Sequence, residues 1–113
     1  MTQWKFIEES LLNVLPLTKE EATHLFQAAR QMGDPGELAK IRLIESHLHL
    51  VLPVAERHAS SGLSVLDLIQ EGNLGLFRAV DEFPNSNLRD FQAFAVVCIE
   101  DAISTAIEQV NAL

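Results

Sequence analysis

Four histidines and one cysteine are the side chains of this sequence best suited to metal binding or nucleophilic attack. No two of His24, His47, His49 and His58 have the three- or four-residue spacing that brings two ligands to one helical face. Cys98 falls on an apolar helical face without a His or Lys within one turn, which indicates a buried structural thiol. A glycine-rich phosphate loop and a Ser/His/Asp arrangement are also missing from the sequence. We therefore predict that the chain is not an enzyme and holds no metal or cofactor.

The size and charge of the chain restrict its partners. Its 113 residues, 48% of them hydrophobic, predict a single domain over 1–113 with one core. The net charge of −8 opposes general attraction to phosphate backbones and anionic membranes. The longest apolar run, Leu48 to Ala55, is far shorter than the about 20 residues of a membrane span. The first residues lack the pattern of a secretory signal, so we expect a cytoplasmic protein.

Apolar spacing near 3.6 residues predicts an all-α fold, a compact bundle of about five helices. Thr18 with Glu21 forms a capping-box pattern, Ser64 with Asp67 resembles one, and Asp34 and Asp90 are candidate caps. Pro53 predicts a kink near 49–52 within the third helix. The predicted helices cover about Gln3–Val14, a segment from Thr18 to Gly33, Asp34–His58, Ser64–Phe83 and Asp90–Val110, with a loop at Pro84–Asn87.

The helix predicted from Ser64 to Phe83 has an unusual surface. A helical wheel places Asp67, Gln70, Glu71, Leu74 and Arg78 opposite an apolar stripe. That surface is either a solvated face with one exposed leucine or a binding face. Gly72 and Gly75 cost about 1 kcal/mol each relative to Ala, so the close approach of a partner helix would give them a purpose. The apolar stripe predicted to face the core is Leu66, Ile69, Leu76, Phe77, Val80 and Phe83.

The last helix combines an apolar inner face with an acidic outer face. From Ala79 to the end the sequence has one basic residue, Arg89, against six acids. Phe94 points outward on the wheel, where it either stacks on an unpaired base or is covered by a neighbouring loop. The predicted inner residues are Phe91, Ala95, Cys98, Ile99, Ala102, Ile103 and Ala106, and the predicted outer ones are Ala93, Phe94, Val97, Glu100, Asp101, Ser104, Thr105 and Glu108.

The string "GLSVLDLIQEGNLGLFRAVDEF" from Gly62 to Phe83 resembles the polymerase-binding helix of region two in the sigma-70 family of bacterial transcription initiation factors. The segments "LPLTKEEA" and "KIRLIESHLHLVLPVA" resemble what precedes that helix in the family, so the likeness covers nearly the whole chain. It implies that this helix binds the clamp coiled coil of the largest subunit of core RNA polymerase. The residues that it assigns to this contact are Asp67, Gln70, Glu71, Asn73 and Leu74.

The downstream half departs from the family pattern. The family places a Tyr and paired Trp residues where this chain has Phe94, Val97 and Cys98, and basic or amide residues where it has Glu100 and Asp101. His47 and His49 stand where the family commonly has Asn and Arg. The resemblance implies promoter DNA contact through Arg89, Phe94, Ser104 and Thr105. The acidic charge of this half predicts that the contact is weak and occurs only within the polymerase complex.

Three functions remain open at this stage. The chain is a sigma-70 region-two domain, as a fragment or a short family member, with weakened or lost promoter contact. Alternatively it is a degenerate sigma-like module that regulates polymerase or a sigma factor without reading DNA, or a helical interaction protein with neither partner. An anti-sigma protein is a further possible partner, whereas a membrane is not expected.

Overall fold

The computed structural model describes residues 17–83 and 88–112, and all regular structure within these ranges is helical. This confirms the predicted all-α fold. The predicted helix at Gln3–Val14 and loop at Pro84–Asn87 lie outside the described residues, and the single domain over 1–113 stays a prediction. The helices are α1 (Lys19–Ala29), α2 (Asp34–His47), a 3-10 turn (Leu48–Leu50), α3 (Val51–Arg57), α4 (Val65–Glu82) and α5 (Leu88–Asn111).

Two helices begin at the side-chain caps that the sequence predicts. Thr18 Oγ1 accepts from the Glu21 backbone N–H at 3.1 Å, and Glu21 Oε1 accepts from the Thr18 N–H at 3.1 Å. The backbone and side-chain hydrogen bonds of Thr18 lower the pKa of Glu21. Ser64 Oγ accepts from the Asp67 N–H at 3.0 Å and starts α4. These local bonds satisfy donors that the first turn would otherwise leave unpaired.

Two other predicted caps are wrong. Gly33, with φ +85°, takes the cap position of α2, and Asp34 is its first helical residue. The turn from α1 to α2 needs a positive φ, which glycine adopts at little cost and aspartate does not. α1 also ends at Ala29, before Gly33. α5 begins at Leu88, so Asp90 lies in its first turn, where a carboxylate suits the helix dipole.

The predicted kink before Pro53 is present. α2 ends at His47, the 3-10 turn follows, and α3 resumes at Val51. Proline cannot donate a backbone hydrogen bond to the carbonyl of His49, and its ring crowds that carbonyl. The helix predicted from Asp34 to His58 is therefore two α-helices with a tighter turn between them.

α4 and α5 form the most extensive helix–helix contact among the described residues. A Cβ built on Gly75 would lie 2.5 Å from the Cys98 carbonyl oxygen and 2.8 Å from Ile99 Cα, which are backbone atoms of α5. A Cβ on Gly72 would lie 2.7 Å from Val51 Cγ1, a side-chain atom of α3. The two glycines therefore serve packing within the chain, and the expectation that they mark an external partner helix is wrong.

The inner face of α5 matches the prediction closely. Phe91, Ala95, Cys98, Ile99, Ile103 and Ala106 are buried, and Ala102 is half-buried. An aromatic cluster joins three elements at this core, because the Phe91 ring lies 5.0 Å from Phe26 and 5.2 Å from Phe83 between centroids. Such tilted pairs add about 0.5–1.5 kcal/mol to the burial of their area.

The predicted core stripe of α4 is partly wrong. Ile69, Leu76, Val80 and Phe83 are buried, but Leu66 is 40% exposed and Phe77 is 46% exposed. The side that α5 covers is set by Gly72 and Gly75, which permit the closest approach. Leu66 and Phe77 lie nearly opposite these glycines at about 100° per residue, so α5 cannot cover them.

We predict that Gly75→Ala destabilises the fold more than Gly72→Ala does. Alanine is the better helix former by about 1 kcal/mol, so a net loss reports the new contact. At Gly75 the methyl group meets backbone atoms of α5, whereas at Gly72 it meets only side-chain atoms, the nearest being Val51 Cγ1, and side chains can shift by a few tenths of an ångström more easily than backbone can. We expect Gly75→Ala to lower the free energy of unfolding by about 1–3 kcal/mol, measured in urea. Equal losses for the two variants would contradict this account of the packing.

Candidate functional site

The α4 residues assigned to partner binding share one side of the helix. Asp67, Gln70 and Leu74 are exposed, and Glu71 and Asn73 are half-buried. Leu74 has 57% of its surface exposed, although it is a large apolar side chain. The predicted outward direction of Asp67, Gln70, Glu71 and Leu74 is therefore confirmed, whereas Asn73, two positions after Glu71, lies at the far edge of this surface.

Leu66 and Phe77 enlarge this surface beyond the sequence prediction. Both are exposed, and at about 100° per residue they lie on the same half of α4 as Leu74. We define the α4 face as Leu66, Asp67, Gln70, Glu71, Asn73, Leu74 and Phe77. The sequence did carry a signal for the two missed residues, because a helical position opposite a pair of close-packing glycines cannot face the same neighbour. Three exposed apolar side chains among polar ones form a surface suited to a partner.

Open grooves run between the α4 face and α5. One of about 360 Å³ lies beside Asp67 and Gln70, and a second of about 370 Å³ lies beside Leu74 and Arg78. Glu71 borders both grooves, together with Ala106 and Gln109 of α5. The surface beside α4 is therefore grooved, and residues of α5 line one side of both grooves.

Asn73 contains an unsatisfied polar atom. Its Oδ1 is buried and has no hydrogen-bond partner in the structure of the described residues. A buried acceptor without a donor costs about 1–3 kcal/mol. Because this oxygen is buried, it is not presented on the α4 face.

The four residues assigned to DNA do not form one cluster. Phe94 is half-buried, with its ring centroid 5.7 Å from that of Phe83. Ser104 borders a groove beside α3, whereas Thr105 borders the groove beside α4. Arg89 is exposed near the start of α5, about 22 Å from Ser104 along the axis at about 1.5 Å per residue. α5 therefore spreads these residues over its length and over two sides.

Two acids of α5, Glu100 and Asp101, are paired with basic residues that precede α5 in the chain. Glu100 Oε2 accepts from Arg57 Nη2 at 3.1 Å, and Glu100 Oε1 lies 2.6 Å from His58 Nε2. Burial raises the pKa of Glu100, but the hydrogen bonds from His58 and Arg57 outweigh it and hold the pKa below its usual value of 4.5. Arg78 Nη2 donates to Asp101 Oδ2 at 3.1 Å. The repulsion expected from these acids is therefore partly cancelled.

His47, the last residue of α2, is buried against Phe91 of α5. Its Nδ1 donates to the Leu43 carbonyl oxygen at 2.7 Å, and its ring meets the Phe91 ring edge at 4.8 Å between centroids. Burial lowers the pKa of His47 from 6.5, although the hydrogen bond to Leu43 acts in the opposite direction. His49 is exposed. His47 therefore contributes to the packing of the fold, whereas the imidazole of His49 faces solvent.

Chemically reactive groups are sparse in the described ranges. No group of three or more His, Cys, Asp or Glu side chains could hold a metal ion in the part of the chain that the structure describes. Cys98 is buried and free, as predicted. Among the same residues, no helix is long and apolar enough to cross a membrane.

Comparison with known proteins connects this geometry to a family. The sequence model of sigma-70 region 2 matches residues 43–111, which include the whole of α3, α4 and α5. The chain belongs to the sigma-70 family. The match is to region 2, so the helix carrying the α4 face and the helix carrying the paired acids both lie within the family's own boundaries.

Two relatives align with most of this chain and with a smaller share of their own length. RNA polymerase sigma factors named SigA from Lactococcus lactis subsp. lactis (strain IL1403) and Lactococcus lactis subsp. cremoris are each 41% identical to it over 91 residues. The aligned part covers 80% of this chain but 24% and 25% of the two relatives. The chain therefore spans about a quarter of the length of these sigma factors.

We predict that the buried His47 makes this sigma-70 region 2 domain less stable in mild acid. The unfolded chain takes up a proton at this histidine near pH 6.5, whereas the folded chain resists protonation. The free energy of unfolding should therefore fall as the pH drops below about 6.5. His47→Asn keeps a donor for Leu43 but does not titrate, so its stability should depend less on pH than that of the wild type between about pH 7.5 and 5.5.

His49→Asn is the matched control, because His49 is exposed. Urea unfolding at the two pH values measures the effect in each variant. If His47→Asn and His49→Asn change the pH dependence equally, burial of His47 is not its cause.

Proposed function

We propose that this chain is a transcription-initiation module that binds core RNA polymerase through the α4 face. The observation that carries the proposal is the exposure of Leu66, Leu74 and Phe77 beside Asp67 and Gln70 on one rigid helix. Membership of the sigma-70 region 2 family supports polymerase as the partner. The proposed contact on polymerase is the clamp coiled coil, and the chain acts by binding rather than by catalysis.

The physical character of the α4 face suits a helical, basic partner. Apolar side chains supply the surface that leaves water on binding, and the polar groups around them set orientation. The Asp67 and Glu71 carboxylates favour cations on the partner and predict weakening by salt. Because α4 is held against α5 by close packing, this surface is formed before the partner arrives.

We predict that Gln70→Ala together with Leu74→Ala abolishes binding to core polymerase. The change removes an exposed leucine and a polar contact from the centre of the α4 face without touching buried atoms. Affinity capture with purified core polymerase measures the loss, and the helical circular-dichroism signal should stay unchanged.

The matched control is Gln27→Ala together with Leu38→Ala on α1 and α2. Leu38 is 65% exposed, similar to Leu74, and Gln27 is exposed like Gln70. The control should bind polymerase as the wild type does. Undiminished binding by the α4 double variant, or equal loss in both double variants, would exclude the α4 face as the contact.

Promoter DNA contact by α5 is proposed to be weak. Phe94 is half-buried beside Phe83, and the guanidinium groups of Arg57 and Arg78 are engaged by Glu100 and Asp101. Binding of nucleic acid normally depends on free cations that neutralise phosphates. Stacking on one aromatic ring is worth about 1–3 kcal/mol and does not replace the electrostatic contribution of free cations. A second function, polymerase binding without any reading of DNA, is supported by the same ion pairs.

We predict that the isolated chain shows no measurable binding to single-stranded promoter DNA at physiological salt. The affinity is measured by fluorescence titration with a labelled non-template oligonucleotide that carries the upstream promoter element. Micromolar or tighter binding that is lost on Phe94→Ala, with folding intact by circular dichroism, would contradict the proposed weakness. Titration of the chain bound to core polymerase then separates the two functions, because a module that does not read DNA adds no promoter affinity to polymerase.

A further inference from the structure

Three donors converge on one carboxylate where α3 meets α5. Arg57 Nη2 lies 3.1 Å from Glu100 Oε2, and His58 Nε2 lies 2.6 Å from Glu100 Oε1. Ser104 Oγ donates to the same Oε1 at 3.5 Å. A guanidinium, an imidazole N–H and a hydroxyl are also the donors that proteins use for the oxygens of phosphate. The arrangement is that of an anion site filled from within the chain.

We propose that Arg57, His58 and Ser104 form a binding site for a backbone phosphate of single-stranded nucleic acid, and that Glu100 occupies this site as an internal competitor. The proposal rests on the proposed function in one respect, the weak contact of α5 with DNA, and it identifies the group responsible. Glu100 then weakens binding by filling a particular site, beyond its share of the net charge.

The surroundings of the site suit a polymer better than a small anion. An open groove of about 650 Å³ adjoins it, lined by Arg57, Glu100 and Ser104 together with Val96 and Val97. Val97 is 66% exposed, so the groove offers an apolar surface beside the cation. Asp101 borders the same groove and holds Arg78 in a second ion pair at 3.1 Å. A nucleic acid strand presents phosphates and apolar base faces together, whereas inorganic phosphate would leave the apolar wall unused.

Solvent reaches the internal pair, so an outside phosphate can compete with it. The side chain of Arg57 is 60% exposed and that of Glu100 is 38% exposed. Exposed ion pairs contribute little to stability, so removing the Glu100 charge should leave the fold intact. Glu100→Gln preserves the size of the side chain and removes its charge, which weakens its hold on the Arg57 guanidinium and lets an incoming phosphate displace it.

The test compares Glu100→Gln with Glu108→Gln in the full chain. Both changes remove one negative charge from the predicted outer face of α5, but the Glu108 side chain makes no hydrogen bond or ion pair within the described residues. Binding to a labelled oligo-dT strand is measured at a series of low salt concentrations. We expect Glu100→Gln to bind about tenfold tighter than Glu108→Gln, the gain of one charge-assisted contact. Its dependence of log K on log salt should be steeper by about 0.7, the value for one added phosphate contact on a single strand.

The double variant Glu100→Gln/Arg57→Gln shows whether the gain arises at this site. This double variant has the net charge of the wild type, so its affinity should fall to that of the wild type. Equal affinities of Glu100→Gln and Glu108→Gln would overturn the proposal, because net charge alone would then explain the effect. A gain that survives Arg57→Gln would also overturn it, as would displacement of oligo-dT by inorganic phosphate beyond the effect of chloride at equal ionic strength.

Binding to core polymerase keeps this proposal separate from the proposed function. Glu100 lies outside the α4 face, so Glu100→Gln should be captured by core polymerase as well as the wild type is. If Glu100→Gln gains no affinity for oligo-dT while Gln70→Ala/Leu74→Ala loses polymerase, the internal phosphate competitor is wrong and the proposed function stands. If the α4 double variant still binds polymerase while Glu100→Gln gains affinity for oligo-dT, the proposed contact through the α4 face is wrong and the internal phosphate competitor stands.

Discussion

The close approach of α4 to α5 at Gly75 is the contact on which the other surfaces depend. A side chain there would collide with backbone atoms of Cys98 and Ile99, so a residue without a Cβ is required. This fixes the rotation of α4 about its own axis. Once that rotation is fixed, Leu68, Leu76 and Ala79 turn inward, and all three are completely buried. The direction of every outward side chain on α4 follows from the same contact.

That rotation leaves the sigma-70 region 2 domain with an exposed apolar surface on α4, which is the surface of the proposed polymerase contact. Leu66, Leu74 and Phe77 stay exposed because they lie on the half of α4 that α5 cannot reach. Exposed apolar side chains add nothing to the stability of the free domain, since their surface remains in water. Their stabilising value is realised when a partner covers them. Close packing on one side of α4 and incomplete burial on the other are therefore two results of the same helix orientation.

The charges of the domain act locally rather than as a sum. A net charge of −8 suggests a surface that repels anions everywhere. In the structure Glu100 and Asp101 are each bonded to an arginine, so the field near α5 is weaker than the sequence count implies. The same bonds occupy the cations that a phosphate would use. Lys40 is likewise bonded to Asp81 at 3.0 Å across α2 and α4.

The sequence by itself determined the helical class, the caps at Thr18 and Ser64, the break before Pro53 and the inner face of α5. These features depend on spacing and on groups a few residues apart, which a sequence displays directly. It also predicted the outward direction of Asp67, Gln70 and Leu74. Only the tertiary structure decided that Leu66 and Phe77 are exposed and that Arg57, His58 and Glu100 meet. The first outcome depends on how α4 is rotated against α5, and the second on contacts between residues more than 40 positions apart in sequence. A helical wheel describes one helix alone, so it predicts neither.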